Sequence, residues 1–234
     1  MTLTPILYFR RSRCGDCWLW GRWLSLTERL PDRYFDELYA RSRDPWRLAD
    51  RWYEKRKYAI TLAMLPQPVY RHALELGCSV GVLTEALTAR CDHVTATDIA
   101  RAALCETDAR LRAARRRQHV TLQRTSIDCA WPADDFDLIV LSEVAYYLSE
   151  NTLRRVMDSE VSKLLPGTTV LAAHWRHPVS GYPLDGDRTN DIIGSTPTLH
   201  QTAHYRDGDV VIDVFENATP TSVAARTGVP GARP

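Results

Sequence analysis

The chain has 234 residues, 44% of them hydrophobic and 25% charged, which fits one α/β domain with a full central sheet. Thirty basic residues against 29 acidic ones leave a formal net charge of +1, which argues against nucleic acid or an anionic membrane as a partner held by bulk charge. Cys14, Cys17, Cys78, Cys91, Cys105 and Cys129 are irregularly spaced and make no disulfide framework, and no run nears the roughly 20 apolar residues of a membrane span, so a cytoplasmic setting is expected.

Residues 1–30 read as a peripheral extension, in which Arg10, Arg11 and Arg13 follow a short apolar stretch, the reverse of a secretory signal. Cys14-Gly15-Asp16-Cys17 is a CxxC without the second CxxC or CxxH pair that would complete a zinc site, and no metal is expected. From Pro31, Tyr34, Phe35, Leu38 and Tyr39 recur at helical spacing, and Asp44-Pro45-Trp46 breaks and restarts the chain. Leu48, Trp52, Tyr53, Ile60 and Met64 mark a second amphipathic helix that stops before Pro66 and Pro68. Its charged middle, Tyr53-Glu54-Lys55-Arg56-Lys57-Tyr58, reads as an exposed or lid-like face, so residues 31–68 are expected to be lid helices.

Residues 69–216 then alternate strand and helix. Strands are expected at Ala73–Leu76, His93–Asp98, Val120–Arg124, Phe136–Leu141 and Thr168–Ala173, and helices at Val82–Arg90, Arg101–Arg112 and from Ser149 to Leu165. Such alternation implies βαβ units and a parallel sheet covered on both faces. The last pair, Leu199–Tyr205 and Val210–Phe215, flanks Asp207-Gly208, a hairpin turn signal, so the seven-stranded sheet should end antiparallel. The tail 217–234, rich in Thr, Ala, Gly and Pro, is expected to be disordered.

The first strand–helix turn reads Glu75-Leu76-Gly77-Cys78-Ser79-Val80-Gly81. Gly77 and Gly81 let the backbone approach a ligand, but the spacing is GxxxG where a pyrophosphate-binding loop reads GxGxxG. A ligand carrying a cationic sulfonium and an amino-acid tail needs no phosphate cradle. Asp98 ends the second strand, where a carboxylate can accept both ribose hydroxyls of a nucleoside. Ser126-Ile127-Asp128 follows the third strand, where Ile127 could pack on an adenine ring and Asp128 accept from its amino group. A nicotinamide- or flavin-binding sheet is the alternative.

Taken in order, Glu75-x-Gly77-x-x-x-Gly81, Asp98, Ser126-Ile127-Asp128 and the terminal hairpin resemble the successive motifs of class I methyltransferases over roughly residues 70–216. That resemblance implies a Rossmann-like class I methyltransferase fold and S-adenosylmethionine as cofactor, held by Glu75, Gly77, Cys78, Ser79, Gly81, Asp98, Ile99, Ser126, Ile127, Asp128 and Ser142. Ser79 stands where many members carry glycine. A closer resemblance runs through Asp44-Pro45-Trp46, Tyr53–Tyr58, Ala73–Cys78, Phe136–Val140 and Ser142–Leu148. Over about residues 32–170 the chain is similar to the nodulation protein S family, whose members methylate the freed amine of a deacetylated chitooligosaccharide. The His174-Trp175-Arg176-His177-Pro178 run departs from that family's pattern and marks a related branch.

The acceptor side should lie after the fourth and fifth strands. An amine acceptor must arrive neutral, so a carboxylate or imidazole there can take its proton. Glu143 and His174 are the expected catalytic groups, and a helix-start charge is the alternative for Glu143. Tyr146, Tyr147, Trp175, Arg176 and His177 are expected to bind a small-molecule or oligosaccharide acceptor, and Trp46 and Tyr53 to close over the cofactor. The expected activity is N-methylation of an amino sugar or oligosaccharide amine. The alternatives are an O- or N-methyltransferase of a small natural product and a cofactor-binding module without catalysis.

Overall fold

The computed structural model describes residues 28–233, so the CxxC and nearly all of the N-terminal extension lie outside the described residues. Two helices come first, α1 (Asp32–Arg41) and α2 (Trp52–Ala63). β1 (Tyr70–Leu76), α3 (Val82–Leu87), β2 (Cys91–Asp98), α4 (Arg101–Ala113) and β3 (Val120–Arg124) follow. β4 (Leu138–Ser142), α5 (Glu150–Val161), β5 (Thr169–Trp175) and α6 (Gly186–Gly194) lead to the hairpin β6 (His200–Arg206) and β7 (Val210–Glu216).

The seven strands lie in the order β3-β2-β1-β4-β5-β7-β6. The first five are parallel, and β7 runs antiparallel to both β5 and β6, as the Asp207-Gly208 turn requires. β4 shows why the sheet is continuous. All five of its residues are buried, with Leu138 and Val140 in one core and Ile139 and Leu141 in the other. A strand covered on both faces has no need of polar alternation.

One core packs the sheet against α5 and α6 through Leu153, Met157 and Ile192, and the other against α2, α3 and α4 through Tyr58, Leu83 and Leu111. No helix among the described residues is long and apolar enough to cross a membrane.

The helix α6 was not among the expected elements; the Asp185 side chain starts it by accepting from the Arg188 N–H at 2.8 Å. Two expectations change. The tail expected to be disordered contains a helical turn, α7 (Val223–Arg226), capped by Ser222 and tied to β7 by an Arg226–Glu216 ion pair of 2.9 Å. Finally, α2 buries the face that charge had assigned to solvent. Its inward residues are Glu54, Lys57, Tyr58 and Thr61, while Trp52 is 75% exposed.

Candidate active site

β1 lies between β2 and β4, so crossovers leave it in opposite directions and open a crevice at the carboxyl ends of these strands. A cavity of about 470 Å³ occupies that crevice, walled on the far side by α1, α2 and the segment between them. Its size falls in the range of small-molecule sites.

The strand-side wall is built from backbone. Gly77 has φ +75°, and a Cβ there would stand 2.6 Å from Val144 Cγ2. Ser79 adopts φ 50° without being glycine, held at three points. Its N–H donates to Asp98 Oδ2 at 2.9 Å, its carbonyl accepts from the Thr107 hydroxyl at 2.8 Å, and its hydroxyl lies 2.7 Å from that of Tyr39. The N–H groups of Gly77 and Cys78 both donate to the Thr97 carbonyl, and that of Gly81 to Cys78. With those donors spent inside the protein, the loop has little to offer a phosphate. It suits an unphosphorylated nucleoside.

Asp98 spends one lone pair of each oxygen on the Ser79 and Ala100 N–H groups, leaving capacity to accept two hydroxyls. Burial raises its carboxyl to about 6 against those backbone donors. Glu75, fully enclosed behind the loop, accepts from the Thr84 hydroxyl at 2.5 Å, and burial pushes its carboxyl up to about 8. A cationic group brought to this end of the cavity would draw that proton off.

The helix-side wall carries charge. Lys57 Nζ lies 2.7 Å from Glu54 Oε2 and 2.7 Å from Glu143 Oε1, which links α2 to the end of β4. Glu143 sits at φ 56° directly after the strand, and its Oε2 accepts from the Tyr146 hydroxyl at 2.7 Å and the Trp175 N–H at 3.0 Å. Burial alone would raise the Glu143 carboxyl, but the Lys57 ammonium and the Tyr146 hydroxyl hold it below its ordinary range. Glu54, also buried, stays above its ordinary range despite Lys57. Lys57 is held charged between the two carboxylates in spite of its burial. At the far end, Tyr146 stacks on Tyr182 at 5.3 Å between ring centroids, with Tyr34 and Tyr147 edge-on to Tyr182 and Phe35 edge-on to Tyr147.

Most of the expected cofactor residues meet on this cavity: Glu75, Gly77, Cys78, Ser79, Asp98, Ile99, Ser126, Ile127 and Ser142. Glu143, Tyr146, Tyr147, Trp175, Trp46 and Tyr53 also line it. Gly81 stands behind the loop against Thr107. Asp128 turns away, its carboxylate occupied by Arg29 at 3.0 Å and by the Ser126 hydroxyl.

The β5 end needs a larger correction. His174 is fully buried outside the cavity. Its Nε2 accepts the Ala145 N–H at 3.2 Å, so Nδ1 carries the proton to Asn190 Oδ1 at 2.7 Å. Burial keeps the ring's pKa below its ordinary value. With both nitrogens committed, His174 braces the turn after Glu143 and cannot serve an acceptor as base. Arg176 is tied to Asp187 and the Asp207 carbonyl, and His177 lies 2.9 Å from Asp209, so neither lines the cavity. Glu54, Lys57, Tyr34, Tyr39 and Tyr182 were not expected there. For α2 the signal was present, since positions 54, 57, 58 and 61 repeat at i, i+3, i+4 and i+7.

Comparison with known proteins gives the family and the fold. The family described as Nodulation protein S (NodS) matches residues 35–180. The chain is 32% identical over 126 residues to Nodulation protein S of Rhizobium tropici, covering 53% of this chain and 52% of that one. It is 34% identical over 130 residues to the protein of the same name from Bradyrhizobium diazoefficiens, covering 55% and 61%. The chain thus spans about half the length of the curated relatives it matches. Among solved structures, the N-methyltransferase NodS from Bradyrhizobium japonicum WM9 in complex with S-adenosyl-L-homocysteine superposes with a TM-score of 0.70 at 26% identity, covering 79% of this chain and 97% of that one. The architecture is that of the class I methyltransferases.

Proposed function

The chain belongs to the nodulation protein S family, and on that premise we propose that it transfers a methyl group from S-adenosylmethionine to the amine of an amino sugar or oligosaccharide. The observation that carries this reading is the sharing of one cavity by a nucleoside-accepting carboxylate, Asp98, and a tyrosine-rich wall. S-adenosylmethionine supplies a methyl group made electrophilic by its sulfonium. The protein's own contribution is alignment and exclusion of water.

In this reading Asp98 accepts the ribose hydroxyls, Ile99 and Ile127 flank the base, and Glu75 answers the cationic amino-acid end. Tyr34 and Tyr182, half-buried beside the buried Tyr146 and Tyr147, offer aromatic faces and hydroxyls of the kind that stack on and bond to sugar rings. Trp46 and Tyr53 stand on the opposite wall, where α1 and α2 act as the cover.

Calorimetry with S-adenosylhomocysteine, paired with mass spectrometry of a glucosamine oligomer after incubation with S-adenosylmethionine, tests the assignment. Asp98→Ala should weaken binding of S-adenosylhomocysteine by about 10- to 100-fold, the loss of hydrogen bonds to a charged acceptor. Unchanged affinity would remove Asp98 from the nucleoside site, and an oligomer without added methyl groups would remove the amine acceptor.

A further inference from the structure

Among the described residues only three buried side-chain polar atoms lack a hydrogen-bond partner: Tyr53 Oη, Glu54 Oε2 and Arg226 Nε. Two of the three belong to neighbouring residues at the start of α2, and both residues line the cavity. Folded proteins satisfy nearly all such atoms, so two orphans just behind the wall of a ligand-sized cavity mark where a ligand group completes the pattern once these side chains turn toward it.

The two carboxylates that hold Lys57 differ in what they have left to give. Glu143 is largely spent, since Oε1 takes Lys57 and Oε2 takes the Tyr146 hydroxyl and the Trp175 N–H, which leaves one lone pair on Oε1. Glu54 Oε2 touches Lys57 Nζ at 2.7 Å, off the angle of a hydrogen bond, and no other described group donates to that carboxylate. Tyr53 holds its ring edge-on to Trp175 at 5.2 Å, which fixes the direction of its free hydroxyl.

The geometry points to Tyr53 and Glu54 as the subsite for the acceptor's primary amine, with the Tyr53 hydroxyl orienting the nitrogen and the Glu54 carboxylate taking its proton. This rests on the methyl-transfer reading and moves the base from the end of β4 to α2. An alkylammonium entering the cavity gives one proton to Glu54, which becomes a neutral acid. The nitrogen lone pair then forms the N–CH3 bond as the C–S bond breaks, and that electron pair stays on sulfur as a thioether. The positive charge passes from the sulfonium to the methylated ammonium, and Glu54 returns its proton to solvent. Lys57, Tyr53 and Tyr58 on α2, Arg51 at its N-cap and Glu143 just after β4 are the titratable groups around Glu54; burial and Glu143 favour its protonated form against Lys57 and Arg51.

Glu54→Gln and Tyr53→Phe test this with a glucosamine dimer as acceptor, and calorimetric binding of S-adenosylhomocysteine reports that each variant is folded. Glu54→Gln should keep that affinity and lose about 100-fold in kcat, the usual size of a general-base contribution, together with the acid limb of the kcat profile. The dimer should also bind the Gln variant loaded with S-adenosylhomocysteine more weakly. Tyr53→Phe should raise KM for the dimer more than it lowers kcat. A Gln variant with wild-type kcat and its acid limb intact overturns the assignment, as does an unchanged KM in Tyr53→Phe if the Gln variant does not fold. A wild-type protein that methylates no amine removes this subsite and the reading beneath it together.

Discussion

The two walls of the cavity are built by different means. On the strand side, conformation does the work: left-handed φ angles at Gly77 and Ser79, amides turned inward, and carboxylates delivered to the ends of β1 and β2. On the helix side, a helix brings a lysine between two carboxylates, and no special backbone is needed in α2. The first wall is set by topology and can be located by counting along strands. The second depends on which way a helix is rolled against the sheet, which only packing decides.

The largest expected effect breaks the helix wall. Lys57→Met removes the only ammonium between Glu54 and Glu143 and should destabilise the protein by about 3–5 kcal/mol near neutral pH, as loss of one partner of a buried ion pair does. In the variant both carboxyls would have folded-state pKa values above their unfolded ones, so its stability should fall further as pH rises above about 5 and recover below it. Urea unfolding from pH 5 to 8 checks this. A pH-independent loss would mean that the lysine's packing matters and its charge does not.

That contrast also explains what could be read from the chain alone. Seven strands, their order of appearance and the closing hairpin follow from apolar runs and turn residues, and with them the places of Glu75 and Asp98. Lys57 was assigned to solvent because charge ordinarily implies exposure, and its burial requires carboxylates that are close only in the folded state. His174 illustrates a different limit. Every residue of β5 up to it is buried, so no polar alternation reveals which side chains face the cavity, and the parity falls to Trp175.

A smaller effect sharpens the strand wall. Glu75 has its carboxyl at about 8 against an ordinary 4.5, so in this window the native state holds a proton that the unfolded chain has released. Stability of the free protein should therefore decline as pH rises through that window. A cationic cofactor end should pull the carboxyl down, so S-adenosylhomocysteine binding at pH 7 should release up to about one proton. Asp98, at about 6, is already ionised there and contributes little. Calorimetry in buffers of different ionisation enthalpy reads the release, and Glu75→Gln should abolish it; release undiminished in the variant would assign the proton elsewhere.

The smallest effect joins the two walls. Ser79 pays for φ 50° with strain on the order of 1 kcal/mol, which glycine would relieve. Ser79→Gly also gives up the hydroxyl contact to Tyr39 of α1, about 1 kcal/mol, and adds freedom to the unfolded chain. These terms nearly cancel, so stability should shift by no more than about 1 kcal/mol in either direction. Cofactor affinity should fall only slightly, because Asp98 still receives the residue 79 N–H, whereas Tyr39→Phe should reproduce most of that fall. A loss in Ser79→Gly as large as that of Lys57→Met would show that the strand wall leans on α1, and that the two walls fold as one unit.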